Sequence, residues 1–454
     1  MDFRLDSTQS VGGRIASNAG LLFGAKTIGA ALGFITLLIA ANALNQIEFG
    51  ILLFLHAYML LFAEMMTFQP WQSVIRFGSG DRESGDCEGF ARLLKFCAVL
   101  DAGAVVLAYV FAVALFGVFM AVLDIYPEFW PGMDEVDPQR LFTLVVGYTT
   151  VVLFQQIGMS TGVLRLFDRF RGLAVAWLVM PLVRFVGVLI AMQQGWGLLG
   201  FVVVWYVAAL SRYAVIIGLG LWELGRRGML GPVWRTRVNL LSPRDGLWGF
   251  ATKAYADSSL AAGFSHLPSV LVMVVFGPAF FAVYKLAEEI ARLLSEGVKL
   301  LDQVIYPELA RILAAGQGGQ ILRLVTRASA VALGVGVALA AVVYWFGPLF
   351  IDSTVGADYQ FTVDLAVLLV IGAAIFAAVA PLYPVFYAAG RPERAIYARS
   401  AGLAAYVVAF FLFAGWLGEI GAAWAWIAGY SVAFVIVVWL ARNTLEAYKG
   451  MPAE

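Results

Sequence analysis

Apolar residues run through this chain in long stretches, separated by short turns rich in charge, Gly or Pro. Crossing about 30 Å of hydrocarbon takes roughly 20 apolar residues as helix, and a helix satisfies its own backbone hydrogen bonds. Twelve such segments fit, near 15–40, 48–68, 92–122, 141–161, 172–192, 196–220, 250–275, 279–305, 325–350, 363–389, 397–417 and 420–441. The first follows Asp2, Arg4, Asp6 and Arg14 and has no small-residue cleavage site behind a short apolar run, so it reads as a span and not as a removable signal.

Lys and Arg between the segments set the orientation, because cytoplasmic loops are enriched in them. The amino end, the loops after segments 2, 4, 6, 8 and 10, and the carboxyl end carry Arg76, Arg82, Arg165, Arg169, Arg171, Arg226, Arg227, Arg235, Arg237, Arg323, Arg327, Arg391 and Arg394. The alternate loops hold Arg140 among Asp124, Glu128, Asp134, Glu135, Asp137, Asp352 and Asp358. Both termini are therefore expected in the cytoplasm. Segment 8 tests the count, since Lys285, Glu288, Glu289, Arg292, Glu296, Lys299 and Asp302 crowd it and a surface helix is the other reading. Removing it would invert the charge bias halfway along the chain, so it is expected to span.

Composition excludes a soluble globular protein. Of 454 residues, 62% are hydrophobic and 13% charged, and the mean hydropathy is +0.86, where soluble domains carry about 25% charge. Thirty basic and thirty acidic side chains cancel, which leaves no net field for nucleic acid. Cys87 and Cys97, with only His56 and His266 to assist, read as packing residues and not as a disulfide framework or metal site. Gly20-Leu-Leu-Phe-Gly-Ala-Lys-Thr27 has the wrong spacing and context for a phosphate-binding loop, and motifs for zinc hydrolases and serine nucleophile elbows are missing. No catalytic residue, metal ligand or cofactor is assigned, and the chain is not read as an enzyme.

A shift of 227, half of 454, lays Lys26 on Lys253 and Phe49-Gly50 on Phe276-Gly277. Each Lys would sit early in the first helix of its half, ahead of a Phe-Gly turn into the next. The expected architecture is an all-α polytopic membrane protein of 12 transmembrane helices, in two six-helix bundles related by a pseudo-two-fold axis along the membrane normal. Its parts are an N-terminal lobe at 1–220, a basic cytoplasmic linker at 221–249 and a C-terminal lobe at 250–454.

A charge at mid-bilayer costs about 2.5–3.5 kcal/mol on insertion scales, so intramembrane charges point to water or to partners. On segment 8, Lys285, Glu288, Glu289, Arg292, Glu296 and Lys299 fall within one arc of about 100°, as would the wall of a hydrated cavity. The same residues can neutralise one another through i,i+4 pairs such as Lys285–Glu289 and Arg292–Glu296. Arg184 follows Pro181 in segment 5, where snorkelling is difficult, and a cavity role is expected. Lys26 can snorkel, Lys253 and Asp257 can pair, Glu64 can hold a proton or cation, and Asp101 is expected to be solvated. His56 and Glu64 lie too far apart around segment 2 for an obvious relay, and His266 reads as a hydrogen-bonded core residue. Pro181, Pro268, Pro381 and Pro384 are expected to interrupt helices, while Gly20/Gly24, Gly29/Gly33 and Gly158/Gly162 would permit close helix approach.

The stretches NAGLLFGAKTIGAALGFITLLIAANAL from Asn18, FQPWQSVIRFG at 68–78, FGPAFFAVYKLAEEI with LLDQVIYPELARILAAG at 276–316, and AAGRPERA at 388–395 make the chain resemble a known family. It is the bacterial polysaccharide transporter family, the O-antigen type lipid-linked oligosaccharide flippases of the multidrug/oligosaccharidyl-lipid/polysaccharide exporter superfamily. That resemblance implies two bundles around a cavity open to one side at a time, carrying a polyprenyl-diphosphate-linked glycan from the cytoplasmic to the periplasmic leaflet of the bacterial inner membrane. A diphosphate headgroup needs Lys or Arg, so the intramembrane cations Lys26, Arg184, Lys253, Lys285 and Arg292 are its expected contacts, and Glu64, Asp257 or Glu288 are the expected sites coupling H+ or Na+. The partners the resemblance implies are the lipid-linked oligosaccharide, membrane lipids and other polysaccharide assembly proteins. A cation-coupled multidrug exporter of the same superfamily, a membrane glycan polymerase or ligase, and a scaffold within an export complex are the alternatives. The short external loop at 124–140 argues against the polymerase or ligase.

Overall fold

The computed structural model describes residues 11–125, 133, 136–237, 244–314, 318–383, 386 and 392–449, and their side chains outside 11–19, 293–325, 328, 381, 392 and 445–449. Across these residues the chain is helical and no strand occurs. The elements are α1 Val11–Ala43, α2 Gln46–Met65, α3 Pro70–Ser84, α4 Cys87–Ile125, α5 Pro138–Thr149, α6 Gly158–Leu166, α7 Phe170–Gln193, α8 Leu198–Arg226, α9 Leu230–Arg235, α10 Leu247–Ala314, α11 Gly318–Thr354, α12 Phe361–Val379, α13 Pro392–Leu417 and α14 Gly421–Lys449.

Ten described stretches are long and apolar enough to cross a membrane. Two of them, Leu247–Arg292 and Glu393–Thr444, are each broken once, at Gly277 and at Gly418–Ile420, so the ten stretches hold twelve segments, in keeping with a twelve-helix count. The protein is thus an all-α polytopic membrane protein. Local chemistry explains where the helices start. The Asn45 side chain accepts the Glu48 N–H at 2.8 Å to open α2, and the Asp137 carboxylate accepts the N–H groups of Gln139 and Arg140 ahead of α5, with Pro138 at its first position.

The break in α10 lies at Phe276-Gly277-Pro278. Gly277 has φ 80° and ψ 176°, a region open essentially to glycine alone, and the following proline disfavours helical backbone before it. The turn of the first half is elsewhere. It falls at Leu44-Asn45, and Phe49-Gly50 lies inside α2, so the 227-residue match aligns a turn with a helix interior. Gly277→Ala is expected to cost about 1–3 kcal/mol, read as a lower thermal unfolding midpoint in detergent. Gly249→Ala, where a Cβ would meet open space, should be neutral or slightly stabilising.

The chain forms two compact units, Met1–Val270 and Leu271–Glu454. In the first, α1 packs on α7, α7 on α8, and α2 against α4, α5 and α8, while α3 rests on α4 and α6. The most hydropathic window within Gln46–Ser84 is 72% buried, against 22% for those of Cys87–Ile125 and Phe170–Gln193, so α2 is a central stave and α4 and α7 are outer ones. Val106, Phe111, Leu115 and Val118 of α4 are more than half exposed, a face that suits lipid and not water. In the second unit α13 packs on α14, α11 on α12, and α12 on α14.

Several local expectations are corrected. Residues 70–84, expected as a loop, fold as α3, whose polar face kept it below any hydropathy threshold. Segment 4 is not one continuous helix: α5 tightens into a 3₁₀ turn at Thr150–Phe154, and α6 restarts at Gly158. Pro181 and Pro268 lie inside helices that continue through them, and Pro381 sits at the start of a 3₁₀ turn after α12. Pro384 lies outside the described residues. Of the glycine pairs, Gly29 meets Pro181, and a Cβ at Gly162 would fall 2.6 Å from Val74 and 3.0 Å from the Trp71 backbone. Gly20, Gly24 and Gly33 face no neighbour within 4 Å.

Candidate functional site

The first unit carries a chain of polar side chains through its apolar interior. His56 lies midway along α2, and its Nδ1 is 2.9 Å from the Tyr148 hydroxyl of α5. Its Nε2 is 3.5 Å from Nη2 of Arg184. Arg184 comes fifteenth in the 24-residue α7, roughly 21 Å from its start at about 1.5 Å per residue. Its guanidinium lies over the ring of Trp205, a fully buried residue of α8, with 4.8 Å between charge centre and ring centroid. Such stacking offsets part of the cost of holding a cation in an apolar setting.

The interrupted fourth segment supplies more of the polar wall. Thr150 and Tyr206 share a 3.0 Å hydroxyl contact, and Tyr213 donates to the side-chain amide oxygen Oε1 of Gln155 at 2.9 Å. Non-helical backbone at membrane depth is tolerated where protein satisfies it or where it lines a cavity. Here Asp101 does part of that work. Its carboxylate accepts the Met159 N–H at 3.1 Å and caps α6, and Gly158 fits against it because a Cβ there would come 2.7 Å from the Asp101 oxygen. Asp101 is 3% exposed, so the expectation of a solvated residue is overturned. The reason is the break in segment 4, whose unsatisfied N–H groups need an acceptor.

Further along α2, Glu64 accepts from His266 of α10, with 3.1 Å between Oε2 and Nε2. The opening half of α10 is fastened there: Ser259 donates to the Met65 carbonyl at 2.6 Å, and Tyr255 stacks on Phe68 at 4.5 Å between centroids. Lys253 and Asp257 belong to the same half helix, Lys253 exposed and Asp257 half-buried. Lys26 of α1 is also exposed and lies over Trp177, 4.8 Å from its centroid. Trp177, Pro181 and Arg184 share one face of α7 at i, i+4 and i+7.

In the second unit, Lys285 pairs with Glu288 at 2.8 Å, and Arg292 with Glu289 at 2.5 Å. Both are i,i+3 pairs, a spacing that like i,i+4 brings side chains together on a helix surface, while the expected Arg292–Glu296 pair falls on a side chain outside those described. The side chains of Lys285, Glu288 and Glu289 are 15%, 14% and 12% exposed and that of Arg292 is 50%. The charged face therefore grades from shielded to open. Glu296, Lys299 and Asp302 lie outside the described side chains.

The structure thus brings Arg184 together with His56, Tyr148 and Trp205, and Glu64 with His266. His56 and Tyr148 were missed as partners of Arg184, since 128 residues separate His56 from Arg184; a histidine in the middle of an apolar segment was the available signal.

The fold is similar to those of solved transporters of the MOP superfamily. A multidrug resistance MATE family transporter of that superfamily, in its inward-facing conformation, matches with a TM-score of 0.68 and 14% identity, over 94% of this chain and 96% of that one. The lipid II flippase MurJ, in an inward closed conformation, matches with a TM-score of 0.64 and 11% identity, over 94% of this chain and 90% of that one. In sequence the chain is similar to inner membrane protein YghQ of Escherichia coli (strain K12), 26% identical over 366 residues, which are 77% of this chain and 95% of that protein. No family model matches the sequence.

Proposed function

We propose that the protein is a flippase that moves a polyprenyl-diphosphate-linked oligosaccharide from the cytoplasmic to the periplasmic leaflet by alternating access, in polysaccharide assembly. The observation that carries this reading is Arg184, a guanidinium midway along a spanning helix, set on a buried tryptophan beside His56. An always-charged, fork-shaped donor in an apolar interior suits an anionic phosphate. The surrounding hydroxyls and amides of Tyr148, Thr150, Tyr206, Gln155 and Tyr213 suit the adjoining sugars. A fold shared with a lipid II flippase supports the same assignment. Lys26, Lys253, Lys285 and Arg292 are proposed as further headgroup contacts, and Glu64, Asp257 and Glu288 as coupling sites for H+ or Na+. The linker at 221–249 and both termini are placed in the cytoplasm.

Export of organic cations is the second reading, favoured by the aromatic rings of Tyr148, Trp205 and Tyr206 and by the acidic Glu64. Arg184 at the heart of the cluster opposes it, since like charge would repel the cargo. A deletion strain separates the two. It should accumulate lipid-linked glycan on the cytoplasmic leaflet, relieved by the wild-type chain and not by Lys285→Ala with Arg292→Ala. Unchanged glycan together with new sensitivity to cationic drugs would overturn the flippase reading.

A further inference from the structure

The contact between Arg184 and His56 fixes more than position. A guanidinium has N–H donors and no acceptor. The imidazole nitrogen facing it at 3.5 Å, Nε2, must therefore accept. That places the ring proton on Nδ1, from which it is donated to the Tyr148 oxygen at 2.9 Å, and it leaves the ring neutral. A protonated His56 would set an N–H against the guanidinium, cation against cation. An anionic oxygen arriving between the two groups reverses this preference, because it accepts from Arg184 and from a newly protonated Nε2–H together.

We propose that His56 and Arg184 form one site that binds a phosphate anion and a proton together, with His56 taking up the proton as the anion seats. By linkage, each ligand strengthens the binding of the other to the same extent. The surroundings allow His56 this role. Tyr148 of α5 and Tyr206 of α8 present hydroxyls and not charges. Arg212, Glu64 and Arg184 all act electrostatically on Tyr213, so Arg212 and Glu64 are charges of opposite sign near the site, and Glu64 is engaged with His266. Asp101 of α4 is engaged with the α6 backbone, and Lys26 of α1 with Trp177. The inference rests on the headgroup reading above for the identity of the anion as the diphosphate of a lipid-linked glycan.

The chain has two histidines, which makes the test direct. The full-length protein is labelled with 15N-histidine and placed in nanodiscs near neutral pH, and His266→Gln assigns the two spectra. The free protein should show His56 as the neutral Nδ1–H tautomer. Farnesyl diphosphate should convert it to imidazolium, with about one proton taken up per molecule bound from a weakly buffered medium. Inorganic diphosphate should do the same at about tenfold or more higher concentration, because it lacks the lipid chain. His56→Gln should bind farnesyl diphosphate about tenfold more weakly and without proton uptake. Binding without proton uptake, or a free His56 that carries its proton on Nε2, would overturn the joint site and leave the headgroup reading standing. Absence of binding by both diphosphates would overturn the two together.

Discussion

Replacing Arg184 with methionine is expected to lower translocation of the lipid-linked glycan about 10- to 100-fold, the loss of one or two charge-assisted hydrogen bonds of about 1.5–3 kcal/mol. Methionine fills much of the space of the arginine stem over Trp205 and removes the charge, so the packing component of the change is small. The fold should survive. His56 keeps its bond to Tyr148, Trp205 stays among the buried residues of α8, and the bilayer is relieved of a cation. Unfolding midpoints in detergent should therefore match or exceed wild type while accumulation of glycan on the cytoplasmic leaflet approaches that of a deletion strain.

Arg184→Lys gives the finer reading. Lysine keeps the charge and loses the planar fork and its stacking on the indole. Activity between wild type and Arg184→Met is expected, because a single ammonium can meet one phosphate oxygen but not two in a fixed geometry. Wild-type transport by Arg184→Met, with normal expression, would take Arg184 out of the headgroup site. It would shift attention to Lys285, which is shielded beside Glu288 in the second unit.

What the sequence made legible follows the physics of a bilayer. Spans declare themselves because each must be about 20 apolar residues long and must satisfy its own backbone, and the break in α10 declares itself in Gly277-Pro278. Which face of a span points inward does not, since lipid tails and protein interior are equally apolar and the helical period loses its contrast. Arg184 stood out as an isolated charge, but its neighbours His56, Tyr148 and Trp205 come from three other helices. Glu64 and His266 are 202 residues apart. Asp101 was misjudged because its role depends on a break in another helix, where the sequence QQIGMS carries no strong breaker. On segment 8 the self-neutralising charges were readable, while the pairing of Lys285 with Glu288 and of Arg292 with Glu289 lies in side-chain rotamers that spacing alone does not decide.

The largest loss of stability is expected from Glu223→Ala, about 3–5 kcal/mol, or a fall of about 10 °C in the unfolding midpoint. Glu223 closes the last turn of α8 with a fully buried side chain and gathers three arginines. Arg227 Nε lies 2.6 Å from one carboxylate oxygen, Arg169 Nε 3.0 Å from the other, and an Arg226 nitrogen 3.4 Å from the first. Arg227 has a side chain only 2% exposed, and its guanidinium lies over Phe167 at 3.8 Å. Removing the carboxylate takes its 2.6 Å ionic partner from a cation buried against a cluster built from Phe90, Phe96, Phe167 and Leu224, where weakly compensated charge is costly. Arg226 is 41% exposed, so Arg226→Ala should cost no more than about 1 kcal/mol. The double change Glu223→Leu with Arg227→Leu should recover most of the loss, because replacing a buried ion pair by packed apolar side chains is often close to neutral. If Glu223→Ala melts with Arg226→Ala, the carboxylate is not what holds the basic ends of α7 and α8 together.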